Sequence, residues 1–306
     1  MSLYSIYVLE YGYVPEYHKS GLIYGAHNEG YVKLPYCYAV IKGDGWAAMV
    51  DVGYNDADYG KYLGDLFNVK NWHSPRDVLA EIGLTPEDIT AVFVTHAHFD
   101  HFGNVEAFPN ATFYIQKKEL QDWIWAMSLP DRMRWILHGI DSADILRGVQ
   151  LARDKRLVVV DGPMENVFPG IDLHVAYDTH TFACMWVTVR NDGRPDSNDS
   201  WVLAGDLVYQ FENLKGSSEQ LKIDDMYLPV GLATGSQINL IMASETMMSQ
   251  VGYEMRRVIP VHEERLNTAF PSRMNGLDLR ISEICLASGA ASLVEIEGGS
   301  SGKSFQ

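Results

Sequence analysis

Short apolar runs alternate with polar turns along most of this chain, and their two periods separate strands from helices. Ile6-Tyr7-Val8-Leu9, residues 36–41 and residues 46–51 read as strands, with Lys42-Gly43-Asp44-Gly45 as the hairpin turn between the last two. Ser74 before Pro75 has the form of an N-cap with proline in the first turn, and predicts a short helix that stops near Gly83. Residues 89–94 are apolar, β-branched and preceded by Pro86, the pattern of a buried strand. Residues 111–115 predict another strand, and from Lys117 to about Arg147 the period turns helical. The second half repeats short strands at 157–160, 173–177, 185–189 and 201–204, with a polar hairpin over 191–200. A helix from Gln237 to Arg257 and a strand over 258–261 follow. Two runs of strands, each with helices attached, predict an α+β fold of two sheets packed face to face with helices outside.

No linker and no fixed-period repeat interrupts residues 1–306, so one domain is expected, carrying a Trp-rich helical insertion over about 117–147. The Gly/Ser-rich tail from about residue 298 is expected to be flexible. Trp123, Trp125 and Trp135 bring more apolar area than one helix face usually hides. That leaves two uses open: packing on the core, or a lid or homodimer surface.

Composition changes this picture only by exclusion. The 306 residues are 47% hydrophobic and 21% charged, which describes a folded globular chain and not a disordered one. A net charge of −16 argues against nucleic acid or an anionic membrane as partner and favours a neutral or weakly charged small molecule. The N-terminus lacks a basic start followed by an apolar stretch, and no window approaches the ~20 apolar residues of a membrane helix. A cytoplasmic location is the expectation. Cys37, Cys184 and Cys285 are scattered in apolar runs with no CxxC pair, and read as core residues.

The chemistry concentrates just after the strand at 89–94, in Thr95-His96-Ala97-His98-Phe99-Asp100-His101-Phe102-Gly103-Asn104. His96 and His98 are two apart on an extended segment, so they point the same way and can share one ion. Asp100 and His101 sit past a turn and can reach a second ion, while Gly103 would let the next helix begin close by. A strand that runs into such a cluster is a metal half-site for a borderline ion such as zinc. Three further residues end strand-like runs, where a rigid sheet can aim them into a shared cleft: His180, Asp206 and His262. His174 and His138 lie within predicted elements and read as structural. His18, His27 and His73 sit in loops, and the first two either line a pocket mouth or are solvated.

With these residues in place, the chain from about 36 to 265 resembles the metallo-β-lactamase superfamily. The resemblance implies a four-layer αββα sandwich of two mixed sheets. It also implies two divalent cations, most readily Zn2+, although Mn2+, Fe2+ or Co2+ suit the same ligands. His96, His98 and His180 would hold the first, Asp100, His101 and His262 the second, and Asp206 would bridge them. Asp51 is carried over as a brace for the ligand loop and not as a ligand. Tyr209, three residues past Asp206, resembles the tyrosine with which N-acyl homoserine lactonases bond a substrate carbonyl oxygen. A hydrolase opening a lactone ring with a metal-bridging hydroxide is therefore expected, with Asp206 or Asp100 as proton carrier.

The chain departs from those lactonases at the third motif. There it has Asp178-Thr179-His180-Thr181-Phe182-Ala183 where they carry Gly-His-Thr-Pro-Gly-His, so the loop beside the substrate must differ. Amides or cyclic amides, thioesters and aryl esters stay open as substrates, as do a mononuclear-iron dioxygenase and a non-catalytic scaffold. Phe99, Phe102, Trp123, Trp125 and Phe211 are the aromatic candidates for the pocket wall.

Overall fold

A computed structural model describes residues 1–218 and 222–294. The tail expected to be flexible from residue 298 lies outside them. The N-terminal half runs β1 (Ser5–His18), β2 (Tyr31–Gly43), β3 (Trp46–Val50), α1 (Asp58–Leu66), α2 (Pro75–Ala80), β4 (Ile89–Phe93) and the one-turn α3 (Phe99–Phe102). It continues with β5 (Thr112–Gln116), α4 (Lys117–Met127), α5 (Ser142–Arg153) and β6 (Leu157–Val160). The other half runs β7 (Met164–Phe168), β8 (Ile171–Tyr177), β9 (Ala183–Arg190), β10 (Ser200–Leu203), α6 (Phe211–Leu214), β11 (Gly216–Ser218) and β12 (Ile223–Met226). It ends with α7 (Gln237–Gln250), β13 (Val258–Ile259), α8 (Leu266–Ala269), β14 (Ser272–Met274) and β15 (Arg280–Cys285).

Among the described residues the strands form an eight-stranded sheet, β14-β15-β1-β2-β3-β4-β5-β6, a five-stranded sheet, β13-β10-β9-β8-β7, and the small β11-β12 pair. Both large sheets are mixed. β3, β4, β5 and β6 pair in parallel, as do β10 and β13, and the remaining pairs are antiparallel. Ile6, Ile41, Val50 and Phe93 from the larger sheet meet Leu173, Val187, Leu203 and Ile259 from the smaller one in a dry layer between them. On the outer face of the larger sheet Met49, Val92 and Phe113 pack with Leu79, Phe102, Trp123 and Ile145 from helices. Leu240 and Met247 of α7 join Trp186 and Val202 outside the smaller one. These are the four layers, helix, sheet, sheet, helix, that the sequence led us to expect.

Several local expectations shift. Residues 117–147 are not one helical segment: α4 ends at Met127, Pro130 opens a short 3-10 turn over Asp131–Leu137, and α5 runs on to Arg153. Proline removes a helical donor and Gly139, at φ +81, turns the chain left-handed, so the period is broken twice. The predicted helix 237–257 stops at Gln250, because Gly252 and Tyr253 both adopt positive φ. Gly103 caps α3, and the next helical turn, a 3-10 turn over Val105–Ala107, begins two residues on. A Cβ on Gly103 would lie 2.7 Å from the Tyr54 Cα and 2.8 Å from the Asn55 nitrogen, so its role is close backbone approach. No helix of the described residues is long and apolar enough to cross a membrane.

Candidate metal centre

Strand ends deliver the site. β4 runs through Val94 into Thr95, His96 and His98, and α3 carries Asp100 and His101. His180 lies in the turn between β8 and β9, Asp206 in the 3-10 turn Gly205–Leu207 just past β10, and His262 just past β13. Gly205 has φ +54, and a Cβ on it would sit 2.7 Å from the Thr95 Cβ. Only glycine lets these two ligand-bearing turns meet so closely.

All seven side chains are buried, and their polar atoms converge in two groups. His96, His98, His180 and Asp206 form one, and Asp100, His101 and His262 the other, with the atoms of each group within 4.8 Å of one another. Asp206 stands between them. Its Oδ2 is 3.3 Å from His180 Nε2 and 3.7 Å from His96 Nε2. Its Oδ1 is 3.1 Å from both His101 Nε2 and His262 Nε2. Asp100 Oδ2 completes the second group, 3.5 Å from His101 Nε2 and 3.9 Å from His262 Nε2.

Hydrogen bonds fix which ring nitrogen faces inward. His180 Nδ1 lies 2.5 Å from the Leu232 carbonyl and His262 Nδ1 2.7 Å from the Pro35 carbonyl. A carbonyl only accepts, so each Nδ1 carries its proton and each Nε2 turns a bare lone pair to the centre. His101 Nδ1 donates to Asp51 Oδ2 at 2.7 Å. Thr95 Oγ1 donates to the same oxygen at 2.8 Å, which leaves it to accept from His96 Nδ1 at 3.0 Å. His98 is turned the other way, with Nδ1 3.0 Å from His180 Nε2.

Lone pairs therefore face carboxylate oxygens and one another. The buried atoms without a hydrogen-bond partner include Nε2 of His96, His101 and His262 and Oδ1 of Asp206. Buried acceptors gathered in this way call for a cation or for protons. Two ligands ~2.1 Å from a tetrahedral ion lie about 3.4 Å apart, and the separations of 3.0–3.7 Å in the first group bracket that value. Each group could hold one divalent ion.

The electrostatics agree. Burial drives the pKa of His96 and His98 well below the ordinary value and lowers that of His180, which favours the neutral imidazole at all three. Burial also opposes charge on His101 and His262, but Asp206 and Asp100 outweigh it and raise both. The carboxyls answer in kind. Despite burial, His101 and His262 hold Asp206 well below its usual range, and His101 lowers Asp100. Protons on His101 and His262 are what metal-free protein would use in place of a cation.

Residues 31–238 match the family model of the metallo-beta-lactamase superfamily. The chain belongs to that superfamily. A probable metallo-hydrolase of Methanocaldococcus jannaschii is 51% identical over 41 residues, 13% of this chain and 20% of that protein. A probable metallo-hydrolase of Mycobacterium tuberculosis is 27% identical over 150 residues, 45% of this chain and 43% of that one. An N-acyl homoserine lactonase of Bacillus cereus is 31% identical over 80 residues, 24% of this chain and 31% of the relative. The chain thus matches less than half the length of each of these relatives. Among solved structures, an N-acyl homoserine lactone hydrolase with N-hexanoyl-L-homoserine at its catalytic metal centre superposes with a TM-score of 0.62 at 17% identity. That match covers 88% of this chain and 97% of the other. AidC, a dizinc quorum-quenching lactonase, gives 0.59 at 18% identity, with coverage of 90% and 92%. These likenesses establish the metallo-β-lactamase fold.

Asp51 sits as expected beneath the ligand loop: its Oδ1 accepts from the Thr95 backbone at 2.7 Å, while Oδ2 takes Thr95 Oγ1 and His101. Tyr209 stacks on His262 with ring centroids 4.8 Å apart. Burial, then Asp206, pushes its phenol well above the usual value, so it stays a donor. The turn at 178–182 is backed by residues 234–236, with the N–H groups of Thr234, Gly235 and Ser236 donating to the carbonyls of His180, Thr179 and Asp178. Of the candidate wall aromatics, Phe102 and Trp123 are wholly buried behind the ligands, and Phe211 packs toward the layer between the sheets. Trp125 and Trp135 are exposed. His174 stacks on Trp186 and His138 on Trp135, away from the ligands.

Glu119, Tyr36 and Tyr17 were missed. Tyr36 stands edge-on to His262 at 5.5 Å, and burial raises both phenols, Tyr17 to about 12, with Asp100 the next cause in each. Alternation along β1 conceals Tyr17, because bulges between Glu10 and Gly12 and between Val14 and Tyr17 each change which residues face inward.

Proposed function

We propose that this protein is a dinuclear metal-dependent hydrolase that opens a lactone ring, acting as a single domain on a neutral or weakly charged small molecule. The observation that carries this reading is Asp206, whose two oxygens each face a separate set of imidazole lone pairs while Tyr209 stacks on one of those imidazoles. His96, His98 and His180 would hold one ion, Asp100, His101 and His262 the other, and Asp206 both; zinc suits this set best. Bound there, two divalent ions supply a water made acidic enough to attack near neutral pH, and Lewis acidity toward a carbonyl.

The chain's own groups supply the rest. Tyr209 keeps its proton and donates to the oxygen on which charge develops as the carbonyl is attacked. Asp100, at the rim of the second group, or Asp206 accepts the proton of the attacking water and returns it to the leaving alkoxide. Asp51, Leu232 and Pro35 hold the imidazoles in the tautomer that leaves Nε2 free. The fold of known lactonases supports the class without naming the acyl group.

The test is a hydrolysis panel of lactones, lactams, thioesters and aryl esters on zinc-loaded protein. Lactones should turn over fastest. Inert lactones beside a cleaved lactam, thioester or aryl ester would move the protein to that chemistry and remove Tyr209 as the deciding residue.

A further inference from the structure

The first group of ligands comes from two different sheets. His96 and His98 follow β4 of the larger sheet, whereas His180 precedes β9 of the smaller one. Something must keep these two turns in register, because a shift of ~0.5–1 Å at one of them would open the three-histidine set. The direct ties across this seam are the Met185 N–H on the Thr95 carbonyl at 2.7 Å and the approach of His98 Nδ1 to His180 Nε2 at 3.0 Å. One side chain outside the site has several.

Glu119, near the start of α4, is wholly buried and accepts four hydrogen bonds. Its Oε1 takes the backbone N–H of Ala97, the residue between His96 and His98, at 3.0 Å, and Trp123 Nε1 at 2.7 Å. Its Oε2 takes Thr181 Oγ1 at 2.9 Å and the Ala183 N–H at 2.8 Å, just past His180. The Trp123 ring, held by the same carboxylate, lies 6.2 Å from the ring of His98. Among the described residues no ion pair involves Glu119, and its four bonds all come from neutral donors. A hydrophobic residue would fill the space, but it would leave the Ala97 and Ala183 N–H groups without acceptors.

We propose that Glu119 is the positioning residue of the first cation site. One carboxylate locks segment 96–98 and segment 180–183 into a single arrangement, and so sets how tightly the three-histidine site holds its ion. It touches neither ligand atoms nor substrate. This inference rests on the metal-centre reading above, and its test reads cation binding, not hydrolysis.

Metal-stripped protein is titrated with Zn2+ against a chromophoric chelator, in the wild type and in Glu119→Gln, with His262→Ala of each as the background that leaves the first site alone. The glutamine has the same shape, but its amide turns N–H donors against one pair of the existing donors. First-site affinity should fall about 10- to 100-fold, the scale of a lost supporting partner. Release of that ion to excess chelator should quicken correspondingly, while the second step of the two-site titration moves less than about threefold. Equal first-site affinity and release rate in Glu119→Gln would overturn the inference while leaving the metal centre standing. Wild-type protein that takes up no zinc would overturn both. If Glu119→Gln does not fold, Thr181→Val and Trp123→Phe each remove a single donor and keep the backbone pair. Each should weaken the first site selectively, and wild-type binding in both would refute the proposal.

Discussion

Replacing Asp51 by asparagine isolates the support of one ligand from the ligand itself. Asp51 is buried at φ +64, a left-handed conformation that asparagine tolerates, so Asp51→Asn adds no backbone strain. The amide oxygen can keep the Thr95 N–H, and the Thr95 hydroxyl can rotate to another acceptor. The His101 Nδ1–H cannot adjust. It meets an NH2 group where a carboxylate oxygen stood 2.7 Å away. A hydrogen bond to a charged acceptor contributes ~1.5–3 kcal/mol, equivalent to about 10- to 160-fold in an equilibrium constant. The expected result is a second-site zinc affinity lower by that factor, since His101 no longer has its tautomer and ring plane fixed. Competition against a chelator of known affinity measures it, with circular dichroism to verify folding. Second-site affinity within twofold of wild type in folded Asp51→Asn would refute the claim that Asp51 holds His101 for the metal.

Asp206→Asn removes the charge shared between the two groups and should cost at least ~100-fold in turnover, read as kcat on the best substrate of the panel. Tyr209→Phe should lower kcat about 10- to 1000-fold with zinc content unchanged, and an unaltered kcat would argue against an oxyanion donor at this position. The contribution of the five histidines to the stability of metal-free protein should be largest near pH 6.5. His96, His98 and His180 have folded pKa values below the unfolded 6.5, so the fold weakens as pH falls beneath it. His101 and His262 have raised values, so their contribution is complete below 6.5 and is lost as pH rises through the folded values. Thermal melts of chelator-treated protein from pH 5 to 9 check this, and a Tm that climbs steadily across the range would contradict it.

The buried strand at 89–93 and the His/Asp cluster behind it were legible because their signals are local: a β-branched run, then three histidines and an aspartate in six positions. His180, Asp206 and His262 were legible for a related reason, each standing just beyond an apolar run. What escaped depended on tertiary context. Glu119 reads as a charge in the first turn of a helix, where acids are common, and only the burial of α4 turns it inward. The supports of His180 and His262 are main-chain carbonyls, of Leu232 and Pro35, which no side-chain pattern marks. β15 was overlooked because Arg280, Ser282 and Glu283 look solvent-facing, yet all three are buried. Arg280 reaches the carbonyls of Glu263 and Glu264, beside His262.

The hydrogen bond from His262 to Pro35 joins residues 227 positions apart in the chain. It therefore fixes when, during synthesis, the second half of the centre can exist. A nascent chain can pair β1 to β5 and present residues 96–101 long before residue 262 has been made. Contacts of such long range form late, after the loops between them have closed. Loading of the second ion is thus expected to coincide with completion of the fold. A chain ending at residue 250 should keep at most one zinc and remain sensitive to protease, whereas the full chain should acquire resistance together with its second ion.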